Sequence, residues 1–363
     1  MTKQKGISVL CICQREMKYT EIKNSGVKIP SVIFGTSALG NLYRALDDDT
    51  KLSIVRECLE SADGTVVFDS AGKYGAGLAL EELGRMLSSL NADPERVIIS
   101  NKLGWLRTEL TTDEPSFEKG VWMDIHNDAK QAISAEGIIV CWEQGNQLLG
   151  EKYLPRLLSV HDPDEYLAAA GNNSALRIKL YNDILDAYQA LSDIKKTGNS
   201  ISIGVGAKDW KVIREISEDV DLDWAMFANS LTLYSHPSEL VSFMIKLHSR
   251  GVTIINSAVF NAGFLTGGDY FNYRRADPGN PEFSSIFKWR DSFFRICNEY
   301  LVRPSHACIR FGLSHPAVTS VALNTSNPEH VGRNVMEVQT EVPAEFFSAM
   351  KREGLIDREY PFV

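Results

Sequence analysis

Cysteine is scarce in this sequence of 363 residues, and its six cysteines show no CxxC spacing. This scarcity excludes a disulfide framework and a zinc ribbon, and it favours reduced thiols in a cytoplasmic protein. No run of about 18 apolar residues occurs, so we expect no transmembrane helix and no membrane partner. The net charge is −9, and no cluster of Lys and Arg is long enough to follow a phosphate backbone, so nucleic acid is not an expected partner.

The rest of the composition is that of an ordinary globular protein, with 44% hydrophobic and 23% charged residues. Residues 7–13 form a short apolar run behind two lysines. No small-residue cleavage site follows this run, which argues against a secretory signal. We therefore interpret residues 1–16 as a dispensable extension and residues 17–363 as a single domain.

Short apolar runs alternate with amphipathic stretches along the chain. Continuous apolar runs are typical of parallel strands that are buried on both faces. The predicted strands are 32–35, 65–69, 97–100, 157–161, 202–205, 225–228, 252–256 and 319–323. The predicted helices include 50–61, 78–90, 137–149, 176–196 and 237–249. Eight such units predict an α/β fold, a single (β/α)8 TIM barrel, and the alternating segment 19–28 predicts a β-hairpin in front of it.

Two connections are too long to be simple turns between a strand and a helix. Residues 104–136 are rich in Thr, Glu, Asp and Trp, and residues 262–287 contain adjacent glycines, two prolines and several aromatics. Long ordered loops in compact domains tend to be functional. Both follow predicted strands, so we expect both at the C-terminal mouth of the barrel, where barrel active sites lie.

Polar side chains stand at the ends of three successive predicted strands. Asp69 ends the second strand, and Tyr74 lies five residues further on. Lys102 follows the third strand, and His161 ends the fourth. A phenol titrates near ~10 when unperturbed, and an ammonium beside it, held by a carboxylate, is expected to lower that pKa. The four residues predict a proton-transfer site, against the alternative of a plain salt bridge beside a packed histidine.

Three blocks of the sequence resemble the signatures of the aldo-keto reductases: Phe68-Asp69-Ser70-Ala71-x-x-Tyr74-Gly75, Ser100-Asn101-Lys102 and His161-Asp162-Pro163-Asp164. Residues 34–42 are similar to the first strand and turn of the branch that contains the L-fucose, D-threo-aldose and L-galactose 1-dehydrogenases. The resemblance implies a barrel that binds a nicotinamide cofactor without a Rossmann domain. It implies that Tyr74 is the proton donor or acceptor and that Lys102 and Asp69 tune it. His161 would orient the substrate oxygen.

The resemblance also implies cofactor contacts at several strand ends. The residues expected to make them are Gly35, Thr36, Asn229, Ser257, Ala258, Phe260, Asn324, Thr325, Ser326 and Asn334. The chain departs from the family where the cofactor's carboxamide is held, because Ala207 and Lys208 stand in place of an Asn or a Ser-Asn pair. We expect Asn229 to substitute for them.

The segment after the eighth strand bears on the choice between NAD and NADP. NADP-preferring relatives carry Lys or Arg here, because a 2′-phosphate calls for charge-assisted contacts. This chain has the neutral Asn324 and His330, with the negative Glu329 close by. We therefore expect NAD to be preferred. NADP is the alternative, with Arg333 or Lys208 as its phosphate ligand.

The leading hypothesis is an NAD(P)-dependent dehydrogenase that oxidises a free aldose, of the L-fucose, D-arabinose or L-galactose type, at C1 to the lactone. Trp105, Trp122 and Tyr273 are candidate contacts to such a sugar. Reduction of small aldehydes or ketones is the enzymatic alternative, and a cofactor-binding regulatory barrel with little turnover is an alternative of another class. A third alternative is an aldolase that uses Lys102 as a Schiff-base nucleophile. No HExxH or similar spacing occurs, so no metal is expected.

Overall fold

Eight parallel strands close into a barrel in the computed structural model, which describes residues 17–23, 25–62, 64–198 and 201–363. The predicted extension, residues 1–16, lies outside the described residues. Around the barrel the strands follow one another in chain order. They are β3 Val32–Gly35, β4 Val66–Ala71, β5 Val97–Leu103, β8 Leu157–His161, β9 Ser202–Ala207, β10 Trp224–Ala228, β11 Thr253–Ser257 and β14 Val318–Leu323.

The predicted (β/α)8 fold is confirmed, but two of its strands end later than predicted. β4 and β5 run further than the apolar pattern indicated, because Ser70, Asn101 and Lys102 pair across the ladder although they are polar. Lys102 therefore lies within β5 and not after it. All of these residues are buried, so the polar end of each strand is still part of the barrel wall.

Helices alternate with the strands and cover the barrel. They are α1 Asp48–Glu60, α2 Leu78–Ser89, α3 Ala135–Leu148, α4 Pro163–Ala168, α5 Ser174–Lys196, α6 Trp210–Asp219, α7 Ser238–Ser249, α8 Ser284–Tyr300, α9 Pro304–Gly312, α10 Glu329–Gln339 and α11 Ala344–Arg352. Several begin at side-chain caps; Asp47, for example, accepts a hydrogen bond from the Thr50 amide.

The predicted N-terminal hairpin is present and closes the bottom of the barrel. Its strands, β1 Tyr19–Glu21 and β2 Lys28–Pro30, pair antiparallel. Ile22, Val27 and Ile29 have no exposed surface and pack into one cluster with apolar side chains from the barrel strands, Trp224 among them. Close packing at this level requires glycine at position 204, because a Cβ there would lie 2.1 Å from the Trp224 ring.

The two long loops contain short strands that the sequence did not predict. Residues 104–136 form an antiparallel hairpin of β6 Trp105–Glu109 and β7 Asn127–Gln131. Residues 262–287 contain the two-residue strands β12 Tyr270–Phe271 and β13 Arg274–Arg275. The first hairpin follows β5 and carries its own apolar cluster, which includes Trp105, Phe117 and Trp122.

Neither a membrane-spanning helix nor a cluster of metal ligands occurs among the described residues. Of the helices in the part of the chain that the structure describes, none is both long and apolar enough to span a bilayer. Within the same ranges, His, Cys, Asp and Glu side chains do not come together in a group of three or more that could hold a metal ion.

Candidate active site

A buried ion pair lies at the mouth of the barrel, between β4 and β5. Asp69 and Lys102 are 3% and 2% exposed, and Lys102 Nζ lies 2.6 Å from Asp69 Oδ2. The other carboxylate oxygen of Asp69 accepts a hydrogen bond of 2.9 Å from the Ser100 hydroxyl, and Lys102 also donates to the Ser70 carbonyl at 3.2 Å. The parallel pairing of the two strands places these groups side by side, because Asp69 is in register with Ser100.

Tyr74 lies against this pair. Lys102 Nζ is 4.7 Å from the centre of the Tyr74 ring, and the His161 ring meets the phenol edge-on at 5.6 Å. The turn that carries Tyr74 packs closely on the loop after β3, because a Cβ on Gly40 would lie 2.9 Å from the backbone of Tyr74. The structure thus brings the four predicted residues together.

The ionisation of the phenol differs from the expectation. Burial raises the pKa of Tyr74 well above its ordinary value of 10.0, and the negative charge of Asp69 raises it further. The predicted lowering of the Tyr74 pKa is therefore wrong, because desolvation opposes the charged phenolate more strongly than the nearby ammonium of Lys73 favours it. Tyr74 is protonated at neutral pH.

His161 is neutral for a related reason. Burial lowers the pKa of its imidazole well below 6.5; the charge on Asp162 opposes this, while the charge on Lys102 adds to it. The ring nitrogen Nε2 lies 3.6 Å from Asp162 Oδ2, and Nδ1 is buried with no hydrogen-bond partner among the described residues. A neutral imidazole offers one donor and one acceptor to a bound oxygen.

A second charged group beside His161 was not predicted from the sequence. Lys73 is 2% exposed, and its ammonium contacts three carboxylates: Asp162 at 2.9 Å, Glu165 at 2.6 Å and Glu118 at 2.9 Å. Lys208 pairs with the other oxygen of Glu165. Asp162 stood within one of the quoted sequence blocks, but its partners come from distant segments, so no local spacing pointed to the group.

One cavity of about 600 Å³ is lined by the four catalytic candidates and by Lys73, Glu118, Asp162 and Lys208. Among the predicted cofactor residues, Gly35, Ser257, Ala258, Phe260, Asn324, Thr325, Ser326 and Asn334 line it. The predicted substrate residues Trp122 and Tyr273 also line it. Tyr43, which the sequence analysis missed, contributes a buried hydroxyl that has no hydrogen-bond partner within the described ranges.

Three predicted site residues lie outside the lining. Thr36 is buried and donates to the backbone carbonyl of Asp69 at 3.1 Å. Trp105 packs behind the cavity, with its ring 4.9 Å from Lys73 Nζ. Asn229 has a left-handed backbone, with φ of 56°, and its buried Oδ1 has no partner in the described part of the chain.

The sequence profile of the Aldo/keto reductase family matches residues 31–353, so the chain belongs to this family of oxidoreductases. One relative is pyridoxal 4-dehydrogenase from Microbacterium luteolum, 28% identical over 347 residues, with 92% of this chain and 96% of the relative covered. Another is D-threo-aldose 1-dehydrogenase from a Pseudomonas species, 25% identical with the same two shares covered. An aldo-keto reductase from Bacillus halodurans, solved in its holo form, superposes with a TM-score of 0.66 at 19% identity, covering 94% of this chain and 97% of that one, and shows the same fold.

Family members use nicotinamide cofactors, and the cavity fits such a group. Arg333 lines it together with Ser326 and Asn334, and the buried Nε of Arg333 has no hydrogen-bond partner among the described residues. A buried donor of this kind is satisfied when an oxygen of a ligand accepts from it. A Cβ on residue 35 would lie 3.2 Å from the Asn324 side chain. Because this residue is glycine, the space beside Asn324 stays open.

Proposed function

We propose that the protein is an NAD(P)-dependent dehydrogenase that oxidises a free aldose at C1 to the lactone. The observation that carries this proposal is the partly buried phenol of Tyr74 against Lys102 and His161, in the same cavity as the polar segment 324–334. The names of two relatives, an aldose 1-dehydrogenase and a pyridoxal 4-dehydrogenase, support oxidation of an aldehyde carbon or its cyclic hemiacetal.

Each catalytic side chain has a distinct task in this proposal. Tyr74 moves the proton at the reacting oxygen, and neutral His161 orients that oxygen by a hydrogen bond. In the direction of oxidation, the phenol of Tyr74 first releases its proton to solvent at the mouth of the barrel and then accepts the hydroxyl proton of the substrate. Lys102, held by Asp69, stabilises the phenolate between these two steps. A nicotinamide cofactor, when bound, supplies the hydride acceptor, and the common cavity provides proximity between the reactants.

The substrate end of the cavity has the polar and aromatic groups that a sugar needs. The Tyr43 hydroxyl, which has no hydrogen-bond partner in the described part of the chain, can pair with a sugar hydroxyl. The ring of Trp122, 5.8 Å from that of Tyr74, offers an apolar face. Tyr273, whose ring lies 5.0 Å from Lys208 Nζ, offers a second aromatic face.

Reduction of small aldehydes or ketones is the second candidate, and the protonation of Tyr74 favours it. A phenol whose pKa is raised keeps its proton at neutral pH and is ready to donate it to a carbonyl oxygen. The aldolase alternative has less support, because Lys102 Nζ is occupied by Asp69 and the Ser70 carbonyl. The regulatory-barrel alternative predicts cofactor binding without turnover.

We propose NAD as the preferred cofactor. Asn324 Oδ1 already accepts from the Ala38 amide, and burial lowers the pKa of His330, which leaves that ring neutral. Lys208 is held beside Asp162 at the other end of the site, 3.5 Å away. Only Arg333, among the positions considered for a 2′-phosphate, remains as a ligand, and one cation forms a weak clamp.

We also propose a single domain over residues 17–363 and a cytoplasmic location. In the described residues Cys58, Cys141, Cys297 and Cys308 are free and buried, which supports the location.

The test is a panel of free aldoses, pyridoxal and small carbonyl compounds, each followed by the absorbance of the reduced cofactor with NAD and with NADP. The proposal predicts oxidation of at least one aldose, with a higher kcat/KM for NAD. Turnover only in the direction of carbonyl reduction would replace it with the second candidate. Cofactor binding without any turnover would support the regulatory barrel, and reaction without nucleotide, trapped by borohydride, would support the aldolase.

A further inference from the structure

Lys73 is the side chain immediately before Tyr74, and the chemistry assigned to Tyr74 does not use it. Its ammonium is nine-tenths buried or more, yet it is fully paired: Asp162 follows β8, Glu165 lies in α4, and Glu118 comes from the first long loop. Burial lowers and these carboxylates raise the pKa of Lys73, and the net direction is upward, so the side chain is charged.

Glu118 connects this ammonium to the wall of the catalytic cavity. Its Oε1 contacts Lys73 Nζ at 2.9 Å, and its Oε2 accepts a hydrogen bond of 2.8 Å from the Trp122 indole. The Trp122 ring in turn lies 5.8 Å from the Tyr74 ring and is 7% exposed. One carboxylate therefore joins the residue before the phenol to the aromatic ring that packs on the phenol.

The backbone of the same loop is anchored independently. Tyr43 donates its amide to the Val121 carbonyl at 2.8 Å, and Met123 donates to the Asn41 carbonyl at 3.0 Å. The path of the loop therefore does not depend on Glu118. The Glu118 side chain, by contrast, contacts the Lys73 ammonium with one carboxylate oxygen and accepts from the Trp122 indole with the other.

We propose that Lys73 is a positioning residue that, through Glu118, holds Trp122 against Tyr74 and so shapes the substrate end of the cavity. Without the Lys73 ammonium, Glu118 would lose the cation that its carboxylate contacts and would still face the charges of Asp162 and Glu165. Asp162 and Glu165 would keep Lys208 as a cationic partner. Glu118, which is 25% exposed, would turn toward solvent, and Trp122 would then lose its hydrogen-bond acceptor. The kinetic part of this inference rests on the proposed function; the orientation of Trp122 does not.

Glu118→Gln is the decisive variant, because it neutralises the carboxylate of the loop and leaves Lys73 paired with Asp162 and Glu165. Lys73→Met removes the ammonium of the same ion pair, and Trp122→Phe removes the indole donor. Lys119→Met is the matched control: this neighbouring lysine is 67% exposed, and its ion pair is with Glu114 at 3.5 Å, within the loop.

Two measurements are made on each variant. Acrylamide quenching of the Trp122 fluorescence, taken as the difference from the same protein carrying Trp122→Phe, reports exposure of that ring. Steady-state kinetics with the best substrate report KM and kcat. We expect Glu118→Gln to increase the quenching constant at least twofold and to raise the substrate KM roughly tenfold, the loss of about one charge-assisted contact. We expect kcat to change less, cofactor affinity to stay within about twofold, and Lys119→Met to match the parent in every respect.

Quenching and KM in Glu118→Gln within error of the parent would overturn the proposal, as would an equal response in Lys119→Met. If Lys73→Met does not fold, Glu118→Gln alone decides. If no substrate in the panel is turned over, the proposed function fails, while the quenching of Trp122 still decides whether Lys73 and Glu118 position the ring.

Discussion

The variant Lys102→Met separates the electrostatic role of the buried ion pair from its chemical role. Methionine is similar to lysine in length and removes only the ammonium. Asp69 then keeps the Ser100 hydroxyl as a donor at 2.9 Å but loses the cation at 2.6 Å, at a position that is 3% exposed. Its carboxylate becomes a buried charge without a counter-ion.

The expected magnitude follows from that burial. Removing one partner of a buried pair typically costs about 3–5 kcal/mol, because the remaining charge is uncompensated. The rate should fall separately, roughly 10²–10⁴-fold, since Tyr74 loses the charge that stabilises its phenolate. The matched surface variant Lys196→Met breaks an ion pair with Asp193, and the two side chains of that pair are 66% and 63% exposed. Its loss should lower the free energy of unfolding by only about 0–1 kcal/mol.

The assay is thermal and urea unfolding of the parent, the single variants Lys102→Met and Lys196→Met, and the double variant Asp69→Asn/Lys102→Met. Activity is measured on the same samples. The double variant no longer buries a charge, and its amide oxygen still accepts from Ser100. It should recover roughly half or more of the lost stability and none of the lost activity. A double variant that is no more stable than Lys102→Met, or a Lys102→Met protein as stable as Lys196→Met, would refute the reasoning.

Two further predictions concern stability away from the reacting atoms. Burial raises the pKa of Asp164 from its ordinary 3.8 to about 6, and the charge on Asp162 adds to the rise. Above pH 6 the charged carboxylate therefore lowers the free energy of unfolding by on the order of 2–3 kcal/mol, and below pH 4, where the carboxyl is protonated, it has no such effect. Asp164→Asn should therefore raise the melting temperature more at pH 8 than at pH 4.5, and an equal gain at both pH values would contradict this. A chain that begins at Met17 should fold and turn over like the full chain, because Met17 already packs on the barrel and the hairpin closes its base; loss of soluble protein on that truncation would show that residues 1–16 are needed.

The fold was largely predictable from the sequence. The strands Val32–Gly35 and Leu157–His161 have the predicted ends, because their apolar runs stop at a turn or a polar residue. β4 and β5 run past their predicted ends, because polar residues continue the ladder. The hairpin of β6 and β7 was missed, since its strands are rich in charged and polar residues and cover a small apolar cluster of their own.

The candidate site was predictable where it follows strand ends. Asp69, Lys102 and His161 converge because parallel strands present their C-terminal ends to one mouth. The direction of the Tyr74 pKa was not predictable, since it depends on how deeply the phenol is buried. The group around Lys73 was missed for another reason: its three partners are separated along the chain, and only the tertiary fold brings them to one ammonium.

The most direct test of the central claim, that Tyr74 moves the proton of the reaction, is the variant Tyr74→Phe. It keeps the ring that packs on His161 and Trp122 and removes only the hydroxyl. Cofactor affinity is measured by fluorescence titration with the reduced nucleotide, and kcat is measured with the best substrate of the panel. We predict a cofactor affinity within about twofold of the parent and a kcat lowered roughly 10²–10⁴-fold. A kcat within about threefold of the parent, with the cofactor bound equally well, would contradict the account.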